Sequence, residues 1–218
     1  MNTSAIGKLR ITEIFYSLQG EALTAGCPTV FIRLTGCPLR CQYCDTTYAF
    51  QGGEWIDLET ILERTATHQA RYVTVTGGEP LAQKDCLTLL CSLCDAGYRV
   101  SLETSGALDI SAVDPRVTRV MDLKTPGSGE MERNRYENIQ SLGPNDQIKF
   151  VICDRDDYQW AKDTIRQYDL DDICEILFSP GQPQQDATEL ANWILQDHLP
   201  VRLQIQLHKY LWGNEAGR

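Results

Sequence analysis

The sequence predicts an α/β fold with a mostly parallel sheet and a functional face at the carboxyl ends of its strands. Three observations point there. Apolar runs rich in β-branched and aromatic residues alternate with segments of helical spacing, no repeat or linker interrupts the alternation, and the polar or Gly-rich motifs follow strands. Such an order implies right-handed crossovers and a sheet that is either open and doubly wound or curled as a barrel, with its loops converging on one face. The chain has 218 residues, 42% apolar and 23% charged, without a long Ser, Gly or Pro tract. That is the composition of a packed protein, and a single core domain over 1–218 is expected.

Strands are expected at 11–16, 30–34, 72–76, 98–103, 119–123, 147–152, 175–179 and 201–206. Between them, Leu58, Ile61, Leu62 and Thr65 share a helical stripe behind Asp57, whose carboxylate suits an N-cap. A second helix carries Leu87, Leu90, Cys91 and Cys94 and stops before Gly97, which tolerates a left-handed cap. Two more fit 155–168 behind Asp154 and 187–196 behind Asp186. After the strands come, in turn, the loop 35–44, TGGEP, ETSG, DLKTPGSG, SPGQP and LHK. These segments are expected to meet in space as the active site.

Lysine and arginine number 20 against 30 aspartates and glutamates, and the net charge of −10 repels a phosphate backbone, so direct nucleic-acid binding is not expected. No apolar stretch reaches the roughly 20 residues of a membrane span, and MNTSAIGKLR holds no apolar signal core. A cytoplasmic protein without membrane contact is expected. Nine cysteines, an odd number, argue for metal ligation or catalysis over a disulfide framework.

The densest signal is Cys37-Pro-Leu-Arg-Cys41-Gln-Tyr-Cys44, three thiols spaced CxxxCxxC directly after a strand. Iron–sulfur clusters usually take four thiolates, so three leave a distant fourth ligand or an open iron. An open iron can be chelated by an amine and a carboxylate on one small molecule, such as the methionyl end of S-adenosylmethionine (SAM). On spacing alone, a zinc site short of one ligand and ordinary buried thiols stay open. The context favours the cluster. Tyr43 sits where an aromatic can cover an adenine, Gly77-Gly78 lets the backbone approach a ligand closely, and Glu79 can accept from an ammonium group.

The cysteine loop and GGEP together resemble the radical SAM superfamily. Leu18-Gln19-Gly20-Glu21, FIRLTGCPLRCQYCDT over 31–46, TGGEP, ETSG, DLKTPGSG and QLHKYLW resemble, more narrowly, the 7-carboxy-7-deazaguanine synthase (QueE) family, over 11–212. The resemblance implies an incomplete (β/α) barrel of the radical SAM type, usually a homodimer. It implies a lyase of queuosine and 7-deazapurine biosynthesis that rearranges 6-carboxy-5,6,7,8-tetrahydropterin to 7-carboxy-7-deazaguanine with loss of ammonia. A 4Fe-4S cluster, SAM, Mg2+ and an electron donor such as flavodoxin or ferredoxin are implied with it. Hydrogen is then taken from the substrate by an adenosyl radical, and no side chain is assigned as acid or base.

Carried onto this chain, the resemblance implies Cys37, Cys41 and Cys44 as cluster ligands and Thr46 as the Mg2+ ligand; a hydroxyl suits a hard cation that keeps its waters. It implies Leu18, Gln19 and Gly20 as the pterin-binding turn, Arg33 as a bidentate partner for the substrate carboxylate and Thr76 as a substrate contact. Gly78, Asp122, Leu123 and Lys124 are implied SAM contacts, with Glu103 and Ser105 beside them. Tyr43 and Glu79 join that set on their own chemistry, and Glu21 and His208 join the substrate set. Two positions depart from or test the pattern. Ala22 stands where family members often carry Gly, and the family can use its C-terminal carboxylate at the substrate, which here belongs to Arg218.

Cys91 and Cys94, with Cys86 nearby, look like a CxxC, yet they share a helical stripe with Leu87 and Leu90, so core packing is expected there and at Cys27, Cys153 and Cys174. His68 and His198 are read as surface or cap residues. An activating enzyme for a glycyl-radical protein shares the cysteine loop but gives no reason for LQGE, CDT and QLHK together. A non-catalytic iron–sulfur or zinc protein leaves GGEP unexplained, and acidity disfavours direct tRNA modification.

Overall fold

In the computed structural model, which describes residues 7–181, 183–213, 215 and 217, one sheet of nine strands organises the chain. β1 (Lys8–Leu18) and β2 (Pro28–Leu34) form an antiparallel hairpin, and β3 (Glu54–Asp57) lies antiparallel to β1 at one edge. From β2 the order continues through β4 (Tyr72–Gly77), β5 (Arg99–Thr104), β6 (Thr118–Asp122) and β7 (Gln147–Ile152) to β8 (Glu175–Pro180) and β9 (Arg202–Leu203). Each of these neighbours is parallel to the last. With β3 and β9 at its two ends the sheet stays open, which makes an incomplete barrel of mostly parallel strands.

Five helices follow the chain: α1 (Leu58–Ala66), α2 (Cys86–Asp95), α3 (Arg155–Tyr168), α4 (Ala187–Gln196) and α5 (Leu207–Trp212). Asp57, Asp154 and Asp186 accept hydrogen bonds from the backbone N–H of Thr60, Asp157 and Glu189, so each expected cap satisfies a donor that the first helical turn leaves open. The crossover from β5 to β6 holds no helix, and that from β6 to β7 only short 3-10 turns, including Pro126–Ser128 and Tyr136–Ser141. The barrel is abbreviated at those two crossovers.

Alternation along the parallel strands decides everything that follows. Val30, Ile32 and Leu34, Val73 and Val75, Val100 and Leu102, Ile148, Phe150 and Ile152, and Ile176 and Phe178 point outward into one core shared with α1 to α4. Tyr158 of α3 is fully buried in it, its ring 5.9 Å from Phe178, while Phe150 meets Phe178 edge-on at 5.6 Å. The residues between them point inward. Because helices cover only the outer face, the inner face is free to carry polar groups.

Several sequence expectations are corrected. The strand expected at 201–206 shrinks to Arg202–Leu203; beyond it the Gln204 N–H still donates to the Phe178 carbonyl, while the side chains of Gln204 and Gln206 bond Ala22 and Glu21. The buried stripe of α2 is Cys86, Leu89, Leu90 and Leu93, one position out of phase with the expected one. Cys91 and Cys94 are half-buried, and the Cys91 thiol lies 3.8 Å from Asp95 and 3.6 Å from Arg116. Cys153 and Cys174 are buried and Cys27 is half-buried. β3 and α5 were not expected at all.

Ala22, the residue that departs from the family's glycine, has φ +61° and is 5% exposed. An L-residue in the left-handed region carries strain of roughly 1 kcal/mol that glycine avoids. Ala22→Gly should therefore raise unfolding stability by about 0.5–1 kcal/mol in a urea titration; a clear loss would show that the methyl's packing outweighs the strain.

Candidate active site

At the carboxyl ends of the strands lies a cavity of about 670 Å3. Every residue expected at the site lines it except Glu79 and Leu123. Its wall is the inward phase of the strands: Phe31 and Arg33 from β2, Thr76 from β4, Glu103 from β5, Val120 and Asp122 from β6, Lys149 and Val151 from β7, Ser179 from β8.

The cysteine loop closes one end. Backbone bonds tie it to its surroundings, from Gly36 N–H to the Ala49 carbonyl (2.8 Å) and from Gln42 N–H to the Ser128 carbonyl (3.0 Å). The GGEP turn is laced to the same loop, Gly78 N–H donating to Leu34 and Glu79 N–H to Gly36. A Cβ on Gly78 would run into the Gly36 carbonyl and the Cys37 side chain, so glycine is what permits this approach. Cys37, Cys41 and Cys44 are free, half-buried thiols that all line the cavity. Burial pushes the Cys41 thiol up to about 11 and that of Cys37 upward as well. Both are therefore protonated without metal, and cluster assembly releases those protons.

Another part of the wall is built around Arg33. Its Nε donates to Glu13 Oε1 at 2.7 Å, its registered partner across β1 and β2, and Tyr48 donates to the same oxygen at 2.8 Å. The guanidinium carbon lies 5.9 Å from the Phe15 ring centre and 5.8 Å from that of Tyr48. Among the described residues its two terminal nitrogens have no hydrogen-bond partner, so the planar end of the fork is available to a carboxylate. Beside it, Thr46 donates to Asp45 at 2.9 Å, and Asp45 is held by Lys209 at 2.9 Å and Gln206 at 3.2 Å. Burial alone would raise Asp45, but Lys209 and these hydrogen bonds hold it well below the usual carboxylate range.

The 18–21 turn forms the floor. Gln19 is 2% exposed and donates to Thr74 at 3.1 Å and to Glu103 at 3.3 Å, while Thr76 donates to the other Glu103 oxygen at 2.8 Å. Gly20 has no room for a side chain, because a Cβ would strike the His208 ring. Burial holds that imidazole below its ordinary value despite the nearby Glu21 and Asp45 carboxylates, so a neutral ring faces the cavity. Glu21 behaves differently from Glu103. Burial would raise Glu21, but Lys149 at 2.8 Å and a bond from Gln206 keep it below its ordinary value. Glu103 is pushed up by burial and then by the charge of Glu21. One carboxyl is thus kept ionised and its neighbour is biased towards the acid.

Two expected residues sit elsewhere. Glu79 is 0% exposed behind the wall, where its carboxylate takes the Thr104 hydroxyl, the Ser105 hydroxyl and N–H, and the Leu81 N–H. It fastens the GGEP turn to the end of β5 and is not free for an incoming ammonium. Leu123 points into the outer core, leaving only its backbone near the site. Arg218 lies outside the described residues. The sequence reading missed Lys149 and Ser179, although the signal was there: a lysine within the apolar run QIKFVI, at an inward-phase position, needs a polar neighbour.

The residues present fit the implied groups. The three thiols of the CxxxCxxC loop line one cavity and are the donor type an iron–sulfur cluster takes. Asp122 Oδ1 and the Tyr43 hydroxyl are buried without a hydrogen-bond partner, which marks them as waiting for donors or acceptors on a ligand. The Thr46 hydroxyl beside the negative Asp45 suits a cation that keeps most of its waters.

Comparison with known proteins agrees with this geometry. The sequence pattern described as "Radical SAM superfamily" matches residues 31–194. A protein of Chlorobaculum tepidum named 7-carboxy-7-deazaguanine synthase is 45% identical, with 99% of each chain covered. One of Koribacter versatilis with the same name is 40% identical over 95% of this chain and 99% of its own. The crystal structure of QueE from Escherichia coli superposes with a TM-score of 0.76 at 25% identity, covering 92% of this chain and 95% of that one.

Proposed function

The chain belongs to the radical SAM superfamily and, within it, to the 7-carboxy-7-deazaguanine synthase family, and from that membership we propose that its cavity rearranges 6-carboxy-5,6,7,8-tetrahydropterin to 7-carboxy-7-deazaguanine with loss of ammonia. It is a radical SAM lyase that uses a 4Fe-4S cluster, SAM and Mg2+. The observation that supports the substrate best is Arg33: a guanidinium held at Nε, with its two terminal nitrogens open among the described residues, lining the same cavity as three free thiols.

When bound, the cluster and SAM supply a hydrogen-abstracting carbon radical, and Mg2+ a Lewis acid for substrate oxygens. The protein's part is placement. Cys37, Cys41 and Cys44 would hold the cluster beside the SAM subsite. Gly78, Ser105, Asp122 and Lys124 would line the SAM subsite, and Tyr43 would offer its adenine an aromatic face. Glu79 acts from behind by fixing Ser105, and Leu123 through its backbone. Thr46 holds Mg2+. Arg33 grips the substrate carboxylate, and Gln19, Gly20, Glu21 and Thr76 meet the ring edge with His208 across from them. Glu103 lies between the two subsites. The stacked Phe15–Phe31 pair, with centres 4.9 Å apart, and Tyr48 keep water from the reacting carbon.

Residues 1–218 act as one core domain, as a homodimer, in the cytoplasm, with flavodoxin or ferredoxin as electron donor. Among the described residues no helix is long and apolar enough to cross a membrane. The family's usual state supports the dimer. Anaerobically reconstituted protein given reductant, SAM, Mg2+ and 6-carboxytetrahydropterin should yield 7-carboxy-7-deazaguanine by mass spectrometry. SAM cleavage without that product would keep the superfamily and reject the substrate.

A further inference from the structure

An alternating chain of charges runs along the inner wall. Lys149 Nζ lies 2.8 Å from Glu21 Oε2 and 3.8 Å from Asp122 Oδ2, and Lys124 Nζ lies 2.8 Å from that same Asp122 oxygen. Lys124 in turn sits 5.7 Å from the centre of the Tyr43 ring. One end of the chain is in the 18–21 turn and the other is beside the cysteine loop. Lys149 is the joint, because Asp122 and Lys149 are registered partners across β6 and β7. Both ends of the Lys149–Glu21 pair are mostly buried, at 19% and 17% exposed. Burial works against the Lys149 charge, but Glu21, Asp122 and Glu103 together hold its ammonium firmly protonated.

The two links of this joint are unequal, a hydrogen bond towards Glu21 and a longer ion pair towards Asp122. Glu21 also accepts from Gln206 at 2.8 Å and Gln204 at 3.3 Å. A carboxylate has about four lone-pair positions, so two further donors from a ligand's amidine edge must displace one of the present three. All three donors have a second acceptor within reach, Gln206 at Asp45, Gln204 at Ser179 and Lys149 at Asp122, and Lys149 is the one whose second acceptor belongs to the SAM subsite. Asp122 has the converse need: Oδ2 is held from one side by Lys124, and Oδ1 is buried without a partner. A carboxylate pinned at Oδ2 from two sides presents Oδ1 in one orientation, and a ligand donating to it then has less freedom to remove.

Resting on the pterin and SAM subsites proposed above, we propose that Lys149 is a positioning residue that couples them: a pterin on Glu21 releases Lys149 to Asp122, which sets the wall for SAM. Linkage makes the effect mutual, so each ligand tightens the other by one factor.

The test uses cluster-loaded protein under anaerobic conditions without reductant, so that no turnover occurs. Titration calorimetry gives the SAM dissociation constant with and without 6-carboxytetrahydropterin. In the wild-type protein the pterin should tighten SAM by about ten-fold. In Lys149→Met the factor should fall to about one. Glu21→Gln, which loosens the hold on Lys149 and leaves the cation in place, should bind SAM tightly with or without the pterin; it also serves if Lys149→Met does not fold. A wild-type factor retained in Lys149→Met, or SAM binding in Glu21→Gln that is weak until the pterin is added, overturns the coupling role. A wild-type protein that forms the deazaguanine acid yet shows no coupling also overturns it and leaves the reaction standing, whereas failure to form that acid strikes the functional reading.

Discussion

Cys41→Ala should strip the protein of its brown charge-transfer absorbance and its iron, and lower product formation by more than the ~100-fold that loss of an outer partner of a metal site typically costs. Cys94→Ala should leave both unchanged. The contrast follows from position. Cys41 lines the cavity between Cys37 and Cys44, whereas Cys94 lies on α2 and is absent from the cavity wall. None of the six cysteines outside the loop lines the cavity. Iron analysis and absorbance of the reconstituted variants settle the matter without any assay of turnover. Retained iron in Cys41→Ala, or lost iron in Cys94→Ala, would move the metal out of the loop.

Arg33→Ala should raise the KM for the pterin on the order of 100-fold while SAM cleavage continues unproductively. A charge-assisted hydrogen bond contributes roughly 1.5–3 kcal/mol, and the two open nitrogens together match a carboxylate's two oxygens. Arg33→Lys should recover only part of the loss, since an ammonium keeps the charge but not the fork. The substitution leaves Glu13 with its Tyr48 hydroxyl donor at 2.8 Å, so the strand pair keeps one of its polar contacts. Steady-state kinetics in pterin, with deoxyadenosine measured in parallel, reads both effects. An unchanged KM in Arg33→Ala would assign the carboxylate to another group.

Much of the site was legible because its chemistry sits in contiguous words: CPLRCQYC, GGEP and LQGE name their positions without the fold. The parallel strands were legible for a related reason: their outward residues are aliphatic or aromatic and stand out as apolar runs. What escaped depended on partners distant in sequence. β3 is short, and it is a strand because it pairs with β1 through Lys8 and Asp57 to Ile11 and Glu54. α5 is six residues long, too short to form alone, and docks through the Leu207 N–H to Gly20 and the Lys209 pair with Asp45. In α2 the run CLTLLCSLCD is apolar on more than one face, so its period could not fix its phase. Glu79 was placed in the right turn but on the wrong side of it, since only the fold shows that Thr104 and Ser105 reach it first.

The division of the parallel strands into an outward core phase and an inward cavity phase has an evolutionary corollary. The residues that keep the molecule folded and those that choose what it acts upon occupy different positions of the same strands, so either set can drift while the other stays. A laboratory campaign to retool this scaffold for a new heterocycle should therefore randomise Thr76 and Ser179 first, keep the buried Lys149–Glu21 pair, and expect the library to stay largely folded.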